Sequence, residues 1–422
     1  MASKGTSECE MDGDQIAELM DHLGLFMEPY LPLFGRRESK GHARMYVEGR
    51  LQQLGRRTLE PIANEHGVHR RPLQFFVGAG DWDDRPVMDR LCEDVACELG
   101  ASDGVFVMDG SGFPKWGDKS VGVQRQWCGR LGKKENCQVG EFLAYASHKG
   151  HTLVDGRLYL PKTWASDRTR RKEAHVPSRV KFRKGWQLAY EMVQQRATVL
   201  PHRWVLGDDA YGRVVELRDG LDGDEERYLL EVPGNTQVVV VGREEDGQRS
   251  VAAVANGTPR GDWQRVRTRD GEKGPIEVRA VKMRVATKRG RELGRRETLL
   301  IVTRSTGERW YYLSNARGVS VGKMVKAAAC RHYVEESLEI AKGDVGMDEY
   351  EVRSWVGWHH HITLSLLAMF FLVTEHLRMK KNTSAHGAAG AVRDGVAPRP
   401  GRDHSRSPAT HRQPNHTTTP PQ

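Results

Sequence analysis

The spacing of apolar positions along this chain changes several times, and each change predicts a different kind of element. From about residue 14 to 99 they recur at helical intervals. Within that stretch, residues 59–68 followed by Leu73-Gln74-Phe75-Phe76 predict a helix, a turn at Gly67 and a second helix. Such a pair either docks in a DNA groove or simply packs two helices; Arg56, Arg57, His69, Arg70 and Arg71 around the turn favour the groove. From residue 105 to about 217 the pattern alternates. Residues 105–108, 141–147 and 157–160 predict successive strands, 185–197 a helix and 204–206 a short buried strand. Segments 227–232, 236–242, 276–285, 297–303 and 309–313 are β-rich with glycine and charge between them, as in an inserted antiparallel subdomain. Helix returns at about 321 and runs in two segments to about 376. Beyond Lys381 almost no large apolar residue remains, which predicts a disordered tail.

Three acids sit where these elements end or turn. Asp109 follows Val105-Phe106-Val107-Met108, Asp208 follows Trp204-Val205-Leu206-Gly207, and Glu335 closes Arg331-His332-Tyr333-Val334-Glu335. Carboxylates delivered to one point by separate segments are what a pair of hard divalent cations requires. Asp209 competes for the second position; Asp208 directly ends the strand, while Asp209 is better placed to cap the next helix. At about 100° per residue, Arg331, Glu335 and Lys342 fall within about 40° of one another. That stripe borders Ala327, Val334, Leu338, Ala341 and Val345, and Glu336 is turned toward solvent. A surface array of i,i+4 ion pairs gives the same pattern.

Composition narrows the partner. A formal net charge of +9 over 422 residues and a pI near 9.2 favour a polyanion. A membrane partner is disfavoured, because the longest apolar run, 362–373, is shorter than the roughly 20 residues of a spanning helix. Residues 1–14 are polar and unlike a signal peptide, so a soluble, cytoplasmic chain is expected. Six scattered cysteines lack any C-x-x-C pair, consistent with reduced thiols rather than zinc. The run Arg168, Arg170, Arg171, Lys172, Arg179, Lys181, Arg183 and Lys184 can track a phosphate backbone. Gly129-Arg130-Leu131-Gly132-Lys133-Lys134 has the wrong spacing for a nucleotide loop. His359, His360 and His361 point too far apart on a helix to share one ion. Trp263 and Trp310 are candidates for core packing or for stacking on an extruded base.

Several blocks together resemble bacterial insertion-sequence transposases of the DDE class, specifically the group numbered 701. They are Asp109-Gly110-Ser111-Gly112-Phe113-Pro114-Lys115; Ser120 through Trp127; Gly132-Lys133 with Asn136 through Gly140; Leu160 through Trp164 with Asp167; Gly207 through Gly212; and Arg331 through Lys342 with Tyr350, Arg353, Trp358 and His361. The spacing Arg331-x₃-Glu335-x₆-Lys342 is similar to the signature of the related insertion-sequence-4 type, with Ala328 where a leading Tyr stands there. The resemblance implies an α/β fold: a ribonuclease H-like core (100–225 and 319–381) with a β-rich insertion (226–318), an N-terminal helical, DNA-binding domain (1–99) and a basic tail (382–422). It further implies metal-dependent cleavage of element ends and strand transfer. Asp109, Asp208 and Glu335 would hold two Mg²⁺ ions, with Mn²⁺ able to substitute. Lys115, Arg125, Arg170, Arg171, Lys181, Lys184, Arg331 and Lys342 would contact DNA. The implied partners are double-stranded terminal repeats and target DNA, bridged by a homodimer on the bacterial nucleoid. A catalytically silent DNA-binding derivative and a ribonuclease H-like repair nuclease are the alternatives.

Overall fold

The computed structural model describes residues 13–271, 274–289 and 292–391. Five helices open it: α1 (Gly13–Met27), α2 (Arg37–Leu51), α3 (Leu59–Glu65), α4 (Arg70–Ala79) and α5 (Asp84–Leu99). Helix α5 shows why they form. Asp83 caps it by accepting from the Arg85 backbone N–H, and Val87, Met88, Leu91, Cys92, Val95 and Leu99 bury one continuous face. Between α3 and α4, Gly67 takes a φ of +62°, the left-handed conformation the turn needs.

The next segment holds β1 (Val105–Pro114), β2 (Gln124–Cys128), β3 (Lys133–Ser147), β4 (Gly150–Leu158), α6 (Lys162–Ser166), α7 (Arg168–Glu173) and α8 (Gly185–Arg196). After these come β5 (Trp204–Gly207), α9 (Asp209–Gly212), α10 (Val215–Gly223) and β6 (Tyr228–Val232). The β-rich stretch adds β7 (Gln237–Val240), β8 (Arg249–Ser250), α11 (Val251–Gly257), β9 (Gln264–Gly271), β10 (Gly274–Arg289), β11 (Glu292–Thr303) and β12 (Arg309–Ser314). Three helices close the described chain: α12 (Val321–Ala329), α13 (His332–Gly343) and α14 (Trp355–Ala391).

All of these strands join one mixed sheet, so the fold is mixed α/β. Its order runs β4-β3-β1-β5-β6-β12-β11-β10, with β2 on the other half of β3, β7 and β9 on β10, and β8 on β7. The β4–β3 and β3–β1 pairs are antiparallel, whereas β1–β5 and β5–β6 are parallel. Two details differ from the sequence pattern. Strand β1 continues well past Met108, because β3 pairs with its whole length from Val105↔Ala146 to Pro114↔Cys137. Strand β6, expected to begin the insertion, lies parallel to β5, and β12 pairs onto it, so the β-rich strands extend the same sheet.

Chain contacts divide the molecule into Met1–Glu375 and His376–Gln422. The described part of the second unit is the end of α14, which continues past Lys381 to Ala391; the rest of the expected disordered tail lies outside the described residues. In the first unit α14 is a core helix. By length and composition its Trp355–Lys381 stretch could cross a membrane, contrary to the short run counted in the sequence, but 61% of that window is buried inside the protein. Two of its buried histidines have partners within the fold. His360 bonds the carbonyls of Val77 and Trp82 at 3.1 and 2.9 Å and stacks on the Trp82 ring, while His361 sits between Tyr46 Oη and the Met347 carbonyl, 2.8 Å from each.

Arg50 of α2 fastens the loop between α13 and α14. The side chain is fully buried and donates to the carbonyls of Val345 at 2.8 Å and Glu349 at 3.2 Å, and to those of Gly346 and Arg57. Arg50→Ala would leave four carbonyls without that donor. It should lose about 3–5 kcal/mol of stability in urea unfolding, with Arg50→Lys recovering only part because a point charge cannot span the set. A loss under 1 kcal/mol would show that the loop does not depend on this residue.

Candidate active site

The parallel ladder between β1 and β5 ends at Met108↔Gly207. The next residue on each strand is an acid, so Asp109 and Asp208 emerge side by side, about 4.8 Å apart along the hydrogen-bonding direction. Asp109 Oδ1 accepts from the Gly110 N–H at 2.9 Å, and Asp208 Oδ1 accepts from the Ala210 N–H at 2.9 Å. Asp208 therefore caps α9, the role the sequence suggested for Asp209, whose carboxylate instead pairs with Arg213.

Both acids line a cleft of about 1030 Å³ whose opposite wall is α13, with Glu335, Leu338 and Lys342. Helix α13 follows α12 after a break at Cys330, and Arg331 stands at its N-cap. Arg331 pairs with Glu335 at 3.0 Å and with Glu231 of β6 at 3.5 Å. Lys342 Nζ donates to Ser111 Oγ at 2.6 Å. Glu335 and Lys342 of the stripe thus face the cleft, and Arg331 stands beside it, lining an adjoining smaller cavity. Glu336 departs from expectation: it is no more exposed than Glu335 (45% against 54%) and turns toward β4, where it pairs with His151 at 3.3 Å and with His332 at 3.5 Å.

Two acids missed in the sequence complete the electrostatics. Glu141 of β3 is buried, accepts from Tyr211 Oη at 2.6 Å, and packs where any side chain at Gly185 would collide with it. An acid heading a buried strand was its only sequence signal. Glu231 lies beside Arg331. Burial first, and then the neighbouring Asp208 charge, push the Asp109 carboxyl up to about 7. Burial also raises Asp208, Glu141 and Glu231.

The predicted DNA contacts divide into two sets. Lys342 stands in the cleft, Arg331 lines the adjoining smaller cavity that Glu335 shares, and Arg125, Lys181 and Lys184 are exposed. Three others are tied into the fold. Lys115 rests 3.2 Å over the Tyr350 ring and bonds the Tyr350 carbonyl, and burial holds its ammonium down at about 8. Arg170 stacks on Trp164 and bonds the Asp118 carbonyl, and Arg171 bonds the Pro177 carbonyl. Trp127, Trp186 and Arg130, not singled out as site residues, line the cleft. Trp263 packs against an apolar cluster of the β-rich strands, while Trp310 borders a smaller cavity that Glu335 shares.

Among the described residues no three His, Cys, Asp or Glu side chains stand close enough together to hold a metal ion. Asp109 and Asp208 nevertheless suit a divalent cation: they are hard oxygen donors whose adjacent charges raise the cost of ionising either one. Glu335, on the same cleft, is held by Arg331.

A carboxyl raised in the fold binds more protons folded than unfolded between about pH 4 and 7, so its cost to stability grows as pH rises through that window. In chelator, Asp109→Asn should therefore be more stable than the native protein. The gap should be near zero at pH 4 and on the order of 1–4 kcal/mol at pH 8. Thermal unfolding across this range checks it, and a gap that does not widen with pH refutes the crowded pair.

A search of curated proteins finds no match to this chain. The sequence profile of a family described as DDE superfamily endonuclease matches residues 29–298, a span containing Asp109 and Asp208 and ending before Glu335. With well over half its length matched, the chain belongs to the DDE superfamily endonucleases.

Proposed function

We propose that this endonuclease is an insertion-sequence transposase of the 701 group, which cuts the ends of a DNA element and joins them to target DNA. The observation that carries the reading is the emergence of Asp109 and Asp208 from adjacent parallel strands into a large cleft that α13 closes with Glu335. The strand order β4-β3-β1-β5-β6, two antiparallel pairs followed by two parallel ones, supports a ribonuclease H-like core. Two copies bridging two element ends, acting on the bacterial nucleoid, complete the proposal.

Asp109 and Asp208, joined by Glu335 once it leaves Arg331, would hold Mg²⁺ or Mn²⁺. When bound, a pair of such ions supplies Lewis-acid stabilisation of the attacking and leaving oxygens in a displacement at phosphorus. The chain's own groups bind and orient the substrate. Arg331 and Lys342 offer charge-assisted hydrogen bonds to the phosphate flanking the cut. Tyr211, held by Glu141, fixes the turn that carries Asp208. A second reading, a silent DNA-binding derivative, is favoured by one observation: the Arg331–Glu335 pair occupies the third carboxylate.

Nicking of supercoiled plasmid should require Mg²⁺ or Mn²⁺, while duplex binding in a gel-shift assay persists in chelator, because most affinity comes from cation–phosphate contacts. Cleavage in excess chelator would overturn the metal reading, and binding without any nicking would select the silent derivative.

Glu335→Gln keeps shape but removes charge, so nicking should fall at least about 100-fold with the circular dichroism spectrum unchanged. Glu336→Gln should stay within a few-fold of native and cost at most about 1 kcal/mol through its histidine pairs. The reverse ranking would move the third carboxylate to Glu336.

A further inference from the structure

A second concave site lies in the β-rich strands. Lys282 and Arg284 of β10, Arg296 of β11 and Arg317 after β12 line a cavity of about 690 Å³ with Thr298 and Gly318. Arg284 is held in place, donating to Thr298 Oγ1 at 2.8 Å and to the Arg296 carbonyl at 2.7 Å. Arg296 and Arg317 have no ion-pair partner among the described residues. The nearby acid Glu297 is committed elsewhere, to Arg218 at 2.9 Å, and Glu244 feels the Arg296 charge but spends its carboxylate on the Gly242 N–H at 3.0 Å. Burial, and then the charges of Arg317 and Arg296, lower the Arg284 pKa despite the opposing pull of Glu297, consistent with crowded cations.

Register places this cavity relative to the cleft. Lys282 pairs with Leu300, Leu300 with Tyr312, and Tyr312 with Glu231. Directly opposed residues share a sheet face, so Lys282 stands on the face that carries Glu231, the acid paired with Arg331. Val281, Met283 and Val285 point the other way, into an apolar cluster. Three strand spacings separate Lys282 from Glu231, about 14 Å.

We infer that Lys282, Arg284, Arg296 and Arg317 form a second contact for the phosphodiester backbone of a DNA duplex whose cleaved phosphate lies at Asp109 and Asp208. The inference rests on the nuclease reading of the cleft. Asp208 and Asp109 lie one and two strand spacings beyond Glu231, so about 19–24 Å separates Lys282 from the acids, roughly six to seven nucleotides of duplex rise, and guanidinium forks suit phosphate oxygens. The site also adjoins the start of α12, the helix that leads into α13 and Glu335.

The test is the Arg296→Gln/Arg317→Gln double variant, whose altered side chains are exposed. Duplex affinity is measured by fluorescence anisotropy over a salt series, beside a Lys149→Gln/Arg203→Gln control, two exposed positions at the end of the β1–β5 pair opposite the acids. The cavity variant should bind roughly ten-fold or more weakly at 0.1 M salt, with the log–log salt slope reduced by about 1.8, or 0.9 per lost phosphate contact. The control should keep the native slope. A native slope in the cavity variant, at native melting temperature, overturns the site while plasmid nicking by native protein still upholds the nuclease. Saturable binding of inorganic phosphate that the variant loses, with the duplex slope retained, assigns the cavity to a small anion and also overturns it. A reduced slope in a protein that never nicks DNA keeps this site and removes the nuclease reading.

Discussion

The repulsion between Asp109 and Asp208 organises the candidate site. Parallel pairing of β1 with β5 stops one residue short of both acids, so the backbone ladder sets their spacing and no side-chain rearrangement can separate them widely. Two adjacent carboxylates in a partly buried cleft are costly, and the fold offsets part of that cost with Arg331 and, at Asp109, with Lys342. Arg331 is shared among Glu335, Glu231, Asp109 and Asp208, which makes it a loose counter-ion rather than a dedicated partner. A site left short of positive charge is poised for a cation from solution.

Holding such a site requires rigidity elsewhere, and two buried ionic networks provide it. Asp155 of β4 is enclosed by Arg85 of α5, Arg196 of α8 and Arg157, whose charges keep its carboxyl well below the usual range despite complete burial. Glu297 of β11 receives Arg218 of α10, Tyr228 of β6 and Thr287 of β10, linking the β-rich strands to the core. Both oxygens of each acid accept hydrogen bonds, and removing Arg218 would leave the buried charge of Glu297 poorly compensated. The networks lie on either side of the β1–β5 junction in the sheet order.

Continuity of the sheet has a functional consequence. Because β12 pairs onto β6, the β-rich strands form an extension of the surface that carries the acids. Alternation along β10 then separates two tasks: Val281 and Val285 build an apolar core on one face, while Lys282 and Arg284 face the other, where the cleft opens.

Much of the local structure was legible in the sequence. Runs such as Val105–Met108 and Trp204–Gly207 read as buried strands because they are uniformly apolar and bounded by acids, and the Arg331, Glu335 and Lys342 stripe follows from helical period alone. These are properties of adjacent residues, determined by short-range geometry. What the sequence could not show depends on which strands become neighbours. The extension of β1 to Pro114, the placement of β6 in the core, and the approach of Glu141 and Glu231 to the cleft all require pairing between distant segments. The same holds for side chains that two readings fit equally well. Lys115 is expected to contact DNA and Glu336 to face solvent, yet Tyr350 captures one and His151 the other. Periodicity reports which way a side chain leaves the backbone; only the packed partner decides what it meets there.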